Sequence, residues 1–336
     1  MQRQIKLWLL AMLGLIASIV VIGGITRLTG SGLSMVNWQP IMGSIPPLSA
    51  TDWANTFDAY KQSPEFIKLN HAMNLNEFKF IFFWEYIHRM LGRLIGLSAL
   101  APFIFFMFKK QLSPSFIRRW LGIILLIGGQ GLMGWYMVKS GLIDNPHVSH
   151  FRLAAHLSLA FLIFSLILKE YLLIQFPARQ KSKPNYSKWL NLGLILISIQ
   201  IIYGAFTAGL HAGYYYKTYP KMGDAWFPSA ALMYDGVINN ILNNPIMIQW
   251  IHRWLALAVV VVVLIIWNNC KKSTSLHIQY GGVLLIASVS FQFILGVITI
   301  LSGVWLPVAL AHQFGALILL TSFILLHYLS NHQLNV

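Results

Sequence analysis

Long apolar stretches separated by polar connections run along most of this 336-residue chain. Eight of them are close to or above the about 20 residues that a helix needs to cross the hydrocarbon core of a bilayer. They occupy residues 7–26, 79–108, 120–138, 151–174, 189–209, 247–267, 279–300 and 308–328. The first is too long for a signal peptide and no Ala-x-Ala pattern follows it, so we interpret it as a retained helix. The pattern predicts an all-α polytopic membrane protein with eight transmembrane helices.

Composition supports this prediction and gives the chain an orientation. Hydrophobic residues make up 57% of the chain and charged residues 10%, which excludes an ordinary soluble domain. Lysine and arginine concentrate on one side of the predicted spans, which is the cytoplasm by the positive-inside rule, so both termini are expected there. The net charge of +15 follows from this topology and from anionic lipid, and requires no nucleic acid. The single Cys270 excludes an intrachain disulfide and a multi-cysteine metal site.

One sequence pattern occurs twice. The segment WEYIHR at 84–89 matches IQWIHR at 248–253, and LAAH at 153–156 matches LAH at 310–312. Between these segments, four residues of the first copy recur in the same order in the second: Gln130, Gly134, Ser140 and Gly141 as Gln292, Gly296, Ser302 and Gly303. Order-preserving similarity indicates a duplicated unit. It predicts two pseudo-symmetric four-helix bundles, residues 1–176 and 185–336, which are parallel because each contains an even number of helices.

Four of the eleven histidines lie inside predicted spans at matching repeat positions: His88, His156, His252 and His312. An ionisable residue in a span is costly and indicates function by default. Each repeat offers two, whereas zinc requires three or four ligands and haem iron one or two. Facing helices can clamp a macrocycle, and Gly92, Gly96, Gly315 and Ala316 leave space beside the histidines. We predict that all four bind haem iron and that the other seven, including His147 and His150, are surface or interfacial.

Three charged residues near these histidines are further candidates. Arg89 and Arg253 each follow a histidine and suit a haem propionate, although Arg89 could instead pair with Glu85 four residues before it. Glu85 shares a helix face with His88, about 4.5 Å away along the axis, and could act as a general base. The alternative is a structural partner of Arg89 or of a histidine. Gln249, the counterpart of Glu85, cannot take a proton, which predicts a reactive first repeat and a supporting second one.

The chain resembles the haem A synthase family over essentially its whole length. The resemblance rests on GGITRLTGSGLS at 23–34, Glu85-x-x-His88-Arg89, RLAAH at 152–156, His252-Arg253 and Ala311-His312. GAFTAG at 204–209 is a weaker echo of the first of these segments. Residues 27–78 contain no cysteine, so the chain is similar to the cysteine-free branch of mitochondrial and proteobacterial relatives.

This resemblance implies an oxidoreductase that converts the C8 methyl group of haem O through an alcohol to the formyl group of haem A, for terminal oxidases. It implies a resident haem B held by His252 and His312, haem O as the substrate at His88 and His156, and Glu85 beside the reacting methyl. The implied partners are haem O synthase, oxidase assembly factors, an unidentified electron donor or acceptor, and membrane lipid. Homo-oligomerisation stays open. The implied place is the bacterial inner membrane, with the haem sites toward the periplasm.

Two other functions are compatible with parts of the pattern. A di-haem electron carrier of the cytochrome b type explains four histidines, but not one carboxylate confined to one repeat or two haems on the same side of the membrane. A transporter is expected to contain helix-breaking residues near the bilayer midplane, whereas the Gly and Pro clusters lie mostly toward helix ends. The residues therefore favour an enzyme over a carrier, and a carrier over a transporter.

Overall fold

A computed structural model describes residues 2–36, 43, 45–141, 148–181, 184 and 186–334, so His147 lies outside the described residues. Within them the chain forms eleven α-helices and two short strands. The helices are α1 (Gln2–Leu28), α2 (Ala50–Lys61), α3 (Pro64–Lys68), α4 (Leu75–Phe108), α5 (Pro114–Gly141), α6 (His150–Gln175), α7 (Ser187–Gly209), α8 (Val237–Asn243), α9 (Pro245–Cys270), α10 (Leu276–Leu301) and α11 (Leu306–Asn331). The strands are β1 (Ala178–Lys181) and β2 (His332–Leu334), which pair antiparallel.

Eight helices are long and apolar enough to cross a membrane: α1, α4, α5, α6, α7, α9, α10 and α11. This confirms the prediction of an all-α polytopic membrane protein with eight spans. The helices extend beyond the apolar stretches because their caps lie in the polar flanks. At α4, Asn74 and Glu77 form a capping box, so the helix begins at Leu75, four residues before the predicted start. At α9, the Asn244 side chain caps the helix and Pro245 takes its first position.

The chain divides into two compact units, Gly14–Arg152 and Met1–Leu13 with Leu153–Val336. In the smaller unit, α2 and α3 are short helices that the apolar pattern did not predict. They pack on the first turns of α4 through an aromatic cluster in which Tyr60 stacks on Phe78 with ring centres 5.0 Å apart. The two predicted repeats, 1–176 and 185–336, stay a prediction, as do their symmetry and the cytoplasmic termini.

In the larger unit, α9 packs against both α7 and α10, and α11 packs against α10 and α7. Ser288 of α10 and Ser322 of α11 join their hydroxyls at 2.8 Å, a polar contact between otherwise apolar spans. Leucines such as Leu192 and Leu264 are exposed on the outside of this unit, as expected of helices that face lipid. Of the candidate histidines, His252 lies on α9 and His312 on α11.

Candidate functional site

His252 of α9 and His312 of α11 face each other in the larger unit. Their ring centres are 6.4 Å apart and their planes are nearly perpendicular, at 85°. Two imidazoles that bind one metal ion from opposite sides, with metal–nitrogen distances of about 2 Å, have ring centres roughly 6 Å apart. The spacing therefore fits axial ligation of one iron by both histidines, as the sequence predicts for this pair.

Glycines on the neighbouring helices leave the space that these rings occupy. A Cβ at Gly204 of α7 would lie 3.2 Å from Cε1 of His252, and a Cβ at Gly296 of α10 would lie 3.0 Å from Cε1 of His312. Both distances are tighter than an ordinary van der Waals contact, so a larger residue at either position would press on the ring. The imidazoles are therefore held in narrow slots that glycine makes available.

The same two histidines retain unused hydrogen-bonding capacity. Nδ1 of His252 and Nδ1 of His312 are buried and meet no hydrogen-bond partner in the part of the chain that the structure describes. A buried polar atom without a partner costs free energy and points to a missing ligand or water. Paired rings at ligand spacing, glycine slots and unpartnered nitrogens together fit an apolar macrocycle with a central iron.

His88 of α4 lies in the smaller unit with a related surrounding. A Cβ at Gly23 of α1 would lie 3.3 Å from Nε2 of His88, so here too a glycine on a neighbouring helix makes room for the ring. Gly92 faces Ile19 of α1, and a Cβ at Gly96 would meet no atom within 4 Å among the described residues. A Cβ at Gly92 would meet Ile19 at 3.7 Å, so of these two glycines only Gly96 has open space beside it, and room for a macrocycle at His88 stays a prediction.

His156 lies on α6 in the larger unit, and its side chain is half-buried. Ala154 beside it packs in a small core with Ala205, Phe206 and Ile248, so this part of α6 is fixed against α7 and α9. His156 thus belongs to one compact unit and His88 to the other. The shared haem site predicted for them stays a prediction.

Glu85 is buried, with 2% of its surface exposed, and both of its oxygens accept two hydrogen bonds. Oε2 accepts from the Ser34 hydroxyl at 2.6 Å and from the backbone N–H of Met35 at 2.8 Å. Oε1 accepts twice from Arg89, whose Nε lies 3.0 Å away. Arg89 also donates to the carbonyl of Met35 at 3.0 Å. These contacts support a structural role for Glu85 and an ion pair between Arg89 and Glu85. The roles of Glu85 as a base and of Arg89 as a propionate partner stay predictions.

Arg253 and Gln249 hold the segment that contains Tyr216 and Thr218 in the larger unit in a similar way. Gln249 donates to the carbonyl of Tyr216 at 2.9 Å. Arg253 donates to that carbonyl at 2.9 Å and to the carbonyl of Thr218 at 2.8 Å. Nε of Arg253 is buried and has no partner among the described residues, so one donor stays available for an anionic group. Arg253 therefore combines a structural contact with capacity for the predicted propionate.

A second buried carboxyl lies in the outer part of the smaller unit. Glu65 of α3 accepts a hydrogen bond from the Tyr60 hydroxyl at 3.0 Å, and Asn70 donates to the same hydroxyl at 2.8 Å. Burial raises the pKa of Glu65 to about 7; the Tyr60 bond lowers this pKa and the negative charge of Glu85 raises it. The pKa of the Tyr60 hydroxyl is raised by burial and then by the charge of Glu65.

Sequence reasoning did not assign a role to several residues of these sites. Ser34 and Met35 contact Glu85 although they lie about 50 positions away in the chain, and no local sequence pattern predicts such a contact. Gln200 and Gln292 donate to the backbone carbonyls of His252 and His312. A glutamine within an apolar span is itself a signal that could have found both. Gly315, predicted to leave space for the macrocycle, instead lies against the Gln292 amide.

Comparison of the sequence with known proteins places the chain in a family. The COX15-CtaA family model, described as a cytochrome oxidase assembly protein, matches residues 6–324. A haem A synthase of Nitrosospira multiformis is 42% identical over 329 residues, covering 96% of this chain and 92% of the relative. Haem A synthases of Rhodospirillum centenum and Flavobacterium johnsoniae are each 41% identical, covering 94% and 95% of this chain and 86% and 96% of their own lengths. These matches confirm the resemblance: the chain belongs to the haem A synthase family.

Proposed function

We propose that this protein is a haem A synthase, an oxidoreductase that converts the C8 methyl group of haem O through an alcohol to the formyl group of haem A. The observation that carries the proposal is the facing pair of His252 and His312 at ligand spacing. It lies in a membrane protein whose relatives are haem A synthases over nearly their full length.

The second half of the chain is proposed to hold a resident haem B. His252 and His312 would hold its iron, and Gly204 and Gly296 leave room for their rings. When bound there, haem B would supply a one-electron redox centre. Arg253 keeps a buried Nε–H that suits a propionate, while its other donors fix the outer segment near Tyr216.

The first half is proposed to bind haem O through His88 and His156. Glu85 is the carboxylate that distinguishes this half from the second, where Gln249 stands at the matching position. Oxidation of a methyl group releases protons, and a buried carboxylate is suited to accept one. The Ser34 and Met35 donors hold the carboxylate in one place, so that it is oriented before the substrate arrives.

The proposed location is the bacterial cytoplasmic membrane, with both termini in the cytoplasm and the haem sites toward the periplasm. The charge distribution along the sequence supports this orientation. Haem O synthase is the proposed source of the substrate and the assembling terminal oxidase its destination. These partners follow from the chemistry of haem O and haem A and from the family's description as oxidase assembly proteins.

The experiment that tests the proposal is haem extraction and chromatography from membranes that also contain a haem O source. Wild type is compared with Glu85→Gln, with His252→Ala and with His277→Ala, a matched control at an exposed histidine near the start of α10. We expect haem A from wild type and from the control. We expect Glu85→Gln to retain haem and accumulate haem O or its alcohol, and His252→Ala to lose the resident haem B.

If wild-type membranes contained haem B but no haem A, the proposed enzymatic function would be overturned and the di-haem electron carrier would be favoured. Unchanged haem A in Glu85→Gln would overturn the role of the carboxylate but not the oxidation. Unchanged haem B in His252→Ala would overturn the assignment of the resident site.

A further inference from the structure

Two glutamines make the same contact with the two facing histidines. Gln200 of α7 donates from Nε2 to the backbone carbonyl of His252 at 3.0 Å, and Gln292 of α10 donates from Nε2 to the backbone carbonyl of His312 at 2.9 Å. Each glutamine lies on the helix that also supplies the slot glycine, Gly204 or Gly296. Every histidine of this pair therefore has one neighbouring helix that both clears space for its ring and bonds its backbone.

These amides are expensive in their setting. Oε1 of Gln200 and Oε1 of Gln292 are buried and find no hydrogen-bond partner within the described residues. An apolar residue of similar length would avoid that cost and still fill the space between two spans. Helix packing alone therefore does not account for glutamine at these two positions.

The neighbourhood of Gln292 is shaped to admit its amide. A Cβ at Gly315 of α11 would collide with Oε1 of Gln292. Gly315 lies one turn after His312, so the amide fits against α11 only because this position is glycine. The positions of Gln292, His312 and Gly315 thus depend on one another.

We propose that Gln200 and Gln292 are positioning residues that fix where the two haem-ligating histidines lie along the axes of α9 and α11. A Cβ at Gly204 would lie 3.2 Å from the His252 ring and a Cβ at Gly296 3.0 Å from the His312 ring, so each ring fits opposite a position without a side chain. Sliding of α9 or α11 along its neighbour would bring an imidazole against a position that carries a side chain. A hydrogen bond to the carbonyl of the ligand residue itself opposes that sliding at the position where it matters most. The inference rests on the proposed ligation of haem B by His252 and His312.

The test uses the purified full-length protein with its bound haem. Gln200→Met and Gln292→Met remove the amide at nearly constant length. Gln279→Met is the matched control, because Gln279 also lies on α10 and donates from Nε2 to a backbone carbonyl, that of Ser273, at 2.7 Å but far from the histidines. The measurements are the rate of haem transfer to excess apomyoglobin, the low-spin spectrum and the midpoint potential of the bound haem.

We expect the haem-loss rate to rise roughly ten- to a hundredfold in Gln200→Met and Gln292→Met, the range typical of lost outer-shell contacts to metal ligands. Their midpoint potentials shift and part of the low-spin signal is lost, whereas Gln279→Met matches wild type. Gly315→Ala is the second variant, because it displaces the Gln292 amide without removing it. It is expected to raise the loss rate alone, and to add little when combined with Gln292→Met.

His252→Ala and His312→Ala distinguish the proposed haem ligation by the histidines from the proposed positioning role of the glutamines. If both keep the wild-type haem spectrum, the proposed ligands are wrong and the positioning role falls with them. If both lose it while the glutamine variants and Gly315→Ala keep the wild-type loss rate and potential, the positioning role alone is overturned. Equal changes in Gln279→Met and Gln292→Met would also overturn it, because they would indicate a general loosening of α10.

Discussion

Glu85 and Gln249 occupy matching sequence positions, and each holds an outer segment by its backbone. Glu85 accepts from the N–H of Met35, and Gln249 donates to the carbonyl of Tyr216. The arginine four residues later strengthens each contact, from Arg89 to Met35 and from Arg253 to Tyr216. In both helices, two side chains four residues apart therefore bind the backbone of a neighbouring segment. The chemical difference between the two helices at this position is the carboxylate of Glu85.

The structural and chemical roles of Glu85 can be separated through Ser34. Ser34→Ala removes one donor to the carboxylate but leaves its charge and three other donors, which we expect to lower haem A formation only slightly. Glu85→Gln removes the proton acceptor and is expected to lower haem A formation about 100-fold or more. The measurement is the ratio of haem A to haem O in extracted membranes. Equal losses in the two variants would show that Glu85 acts only by holding the segment.

The slot glycines give a second residue-level prediction. Gly296→Ala places a Cβ 3.0 Å from the His312 ring, so the ring or α10 must shift and the content of bound haem should fall. Gly128→Ala is the control, because a Cβ there has no neighbour within 4 Å among the described residues. It is expected to preserve haem and to stabilise α5 by about 0.5–1 kcal/mol. Haem-to-protein ratio and thermal unfolding measure both; full haem retention in Gly296→Ala would contradict the narrow slot.

The repeat pattern predicted that His252 and His312 lie together, because matching histidines recur in both copies, and the structure brings their ring centres within 6.4 Å. Their role as haem ligands stays a prediction. It could not predict that Ser34 bonds Glu85 or that Gln200 bonds His252, since those contacts join residues about 50 positions apart. Such contacts depend on how helices rotate and slide against one another. Hydropathy periodicity constrains that rotation weakly in spans that are apolar on most faces.

At the scale of elements, hydropathy placed both ends of all eight spans within six residues, because crossing a bilayer demands long apolar helices. It missed α2, α3 and α8, which are short and mixed in polarity and owe their position to tertiary packing. For α2 and α3 the signals were local: Ser49 with Asp52 forms a capping box, and Ser63 precedes Pro64 at the start of α3. Reading caps beside hydropathy would have found both helices.

The outer helices α2 and α3 should respond to pH through Glu65. Its pKa is raised to about 7 in the folded state, above the ordinary value near 4.5, so the folded form holds a proton that the unfolded form has lost between these pH values. Stability of these helices therefore falls as pH rises from about 4.5 to 7, by up to about 3 kcal/mol, and is constant above.

Hydrogen exchange of α2 and α3, corrected for intrinsic rates, measures this effect at pH 5.5 and pH 8. Glu65→Gln keeps an acceptor for the Tyr60 hydroxyl and should remove the pH dependence, while Asp58→Asn at the exposed Asp58–Lys61 pair should preserve it. A pH response that survives in Glu65→Gln would assign the titration to another group.

For the whole molecule, the distribution of charge predicts the orientation in the membrane, which hydropathy alone does not predict. Eight spans place both termini on the same side but leave open which side that is. From the basic connections we predict that this side is the cytoplasm, so that the segments held by Glu85 and Arg253 would lie in the periplasm. Substrate haem, resident haem and the segments above them would all face the same compartment.

This orientation can be measured with single cysteines, because Cys270→Ser leaves the chain without a thiol. In that background, Asp235→Cys lies on an exposed outer segment and Lys272→Cys on the exposed turn between α9 and α10. We expect a membrane-impermeant maleimide to label Asp235→Cys in spheroplasts and Lys272→Cys only after the membrane is permeabilised. The reverse labelling would place His252 toward the cytoplasm, because His252 lies about two helical turns from Pro245, the end of α9 that is nearer to Asp235 in the chain.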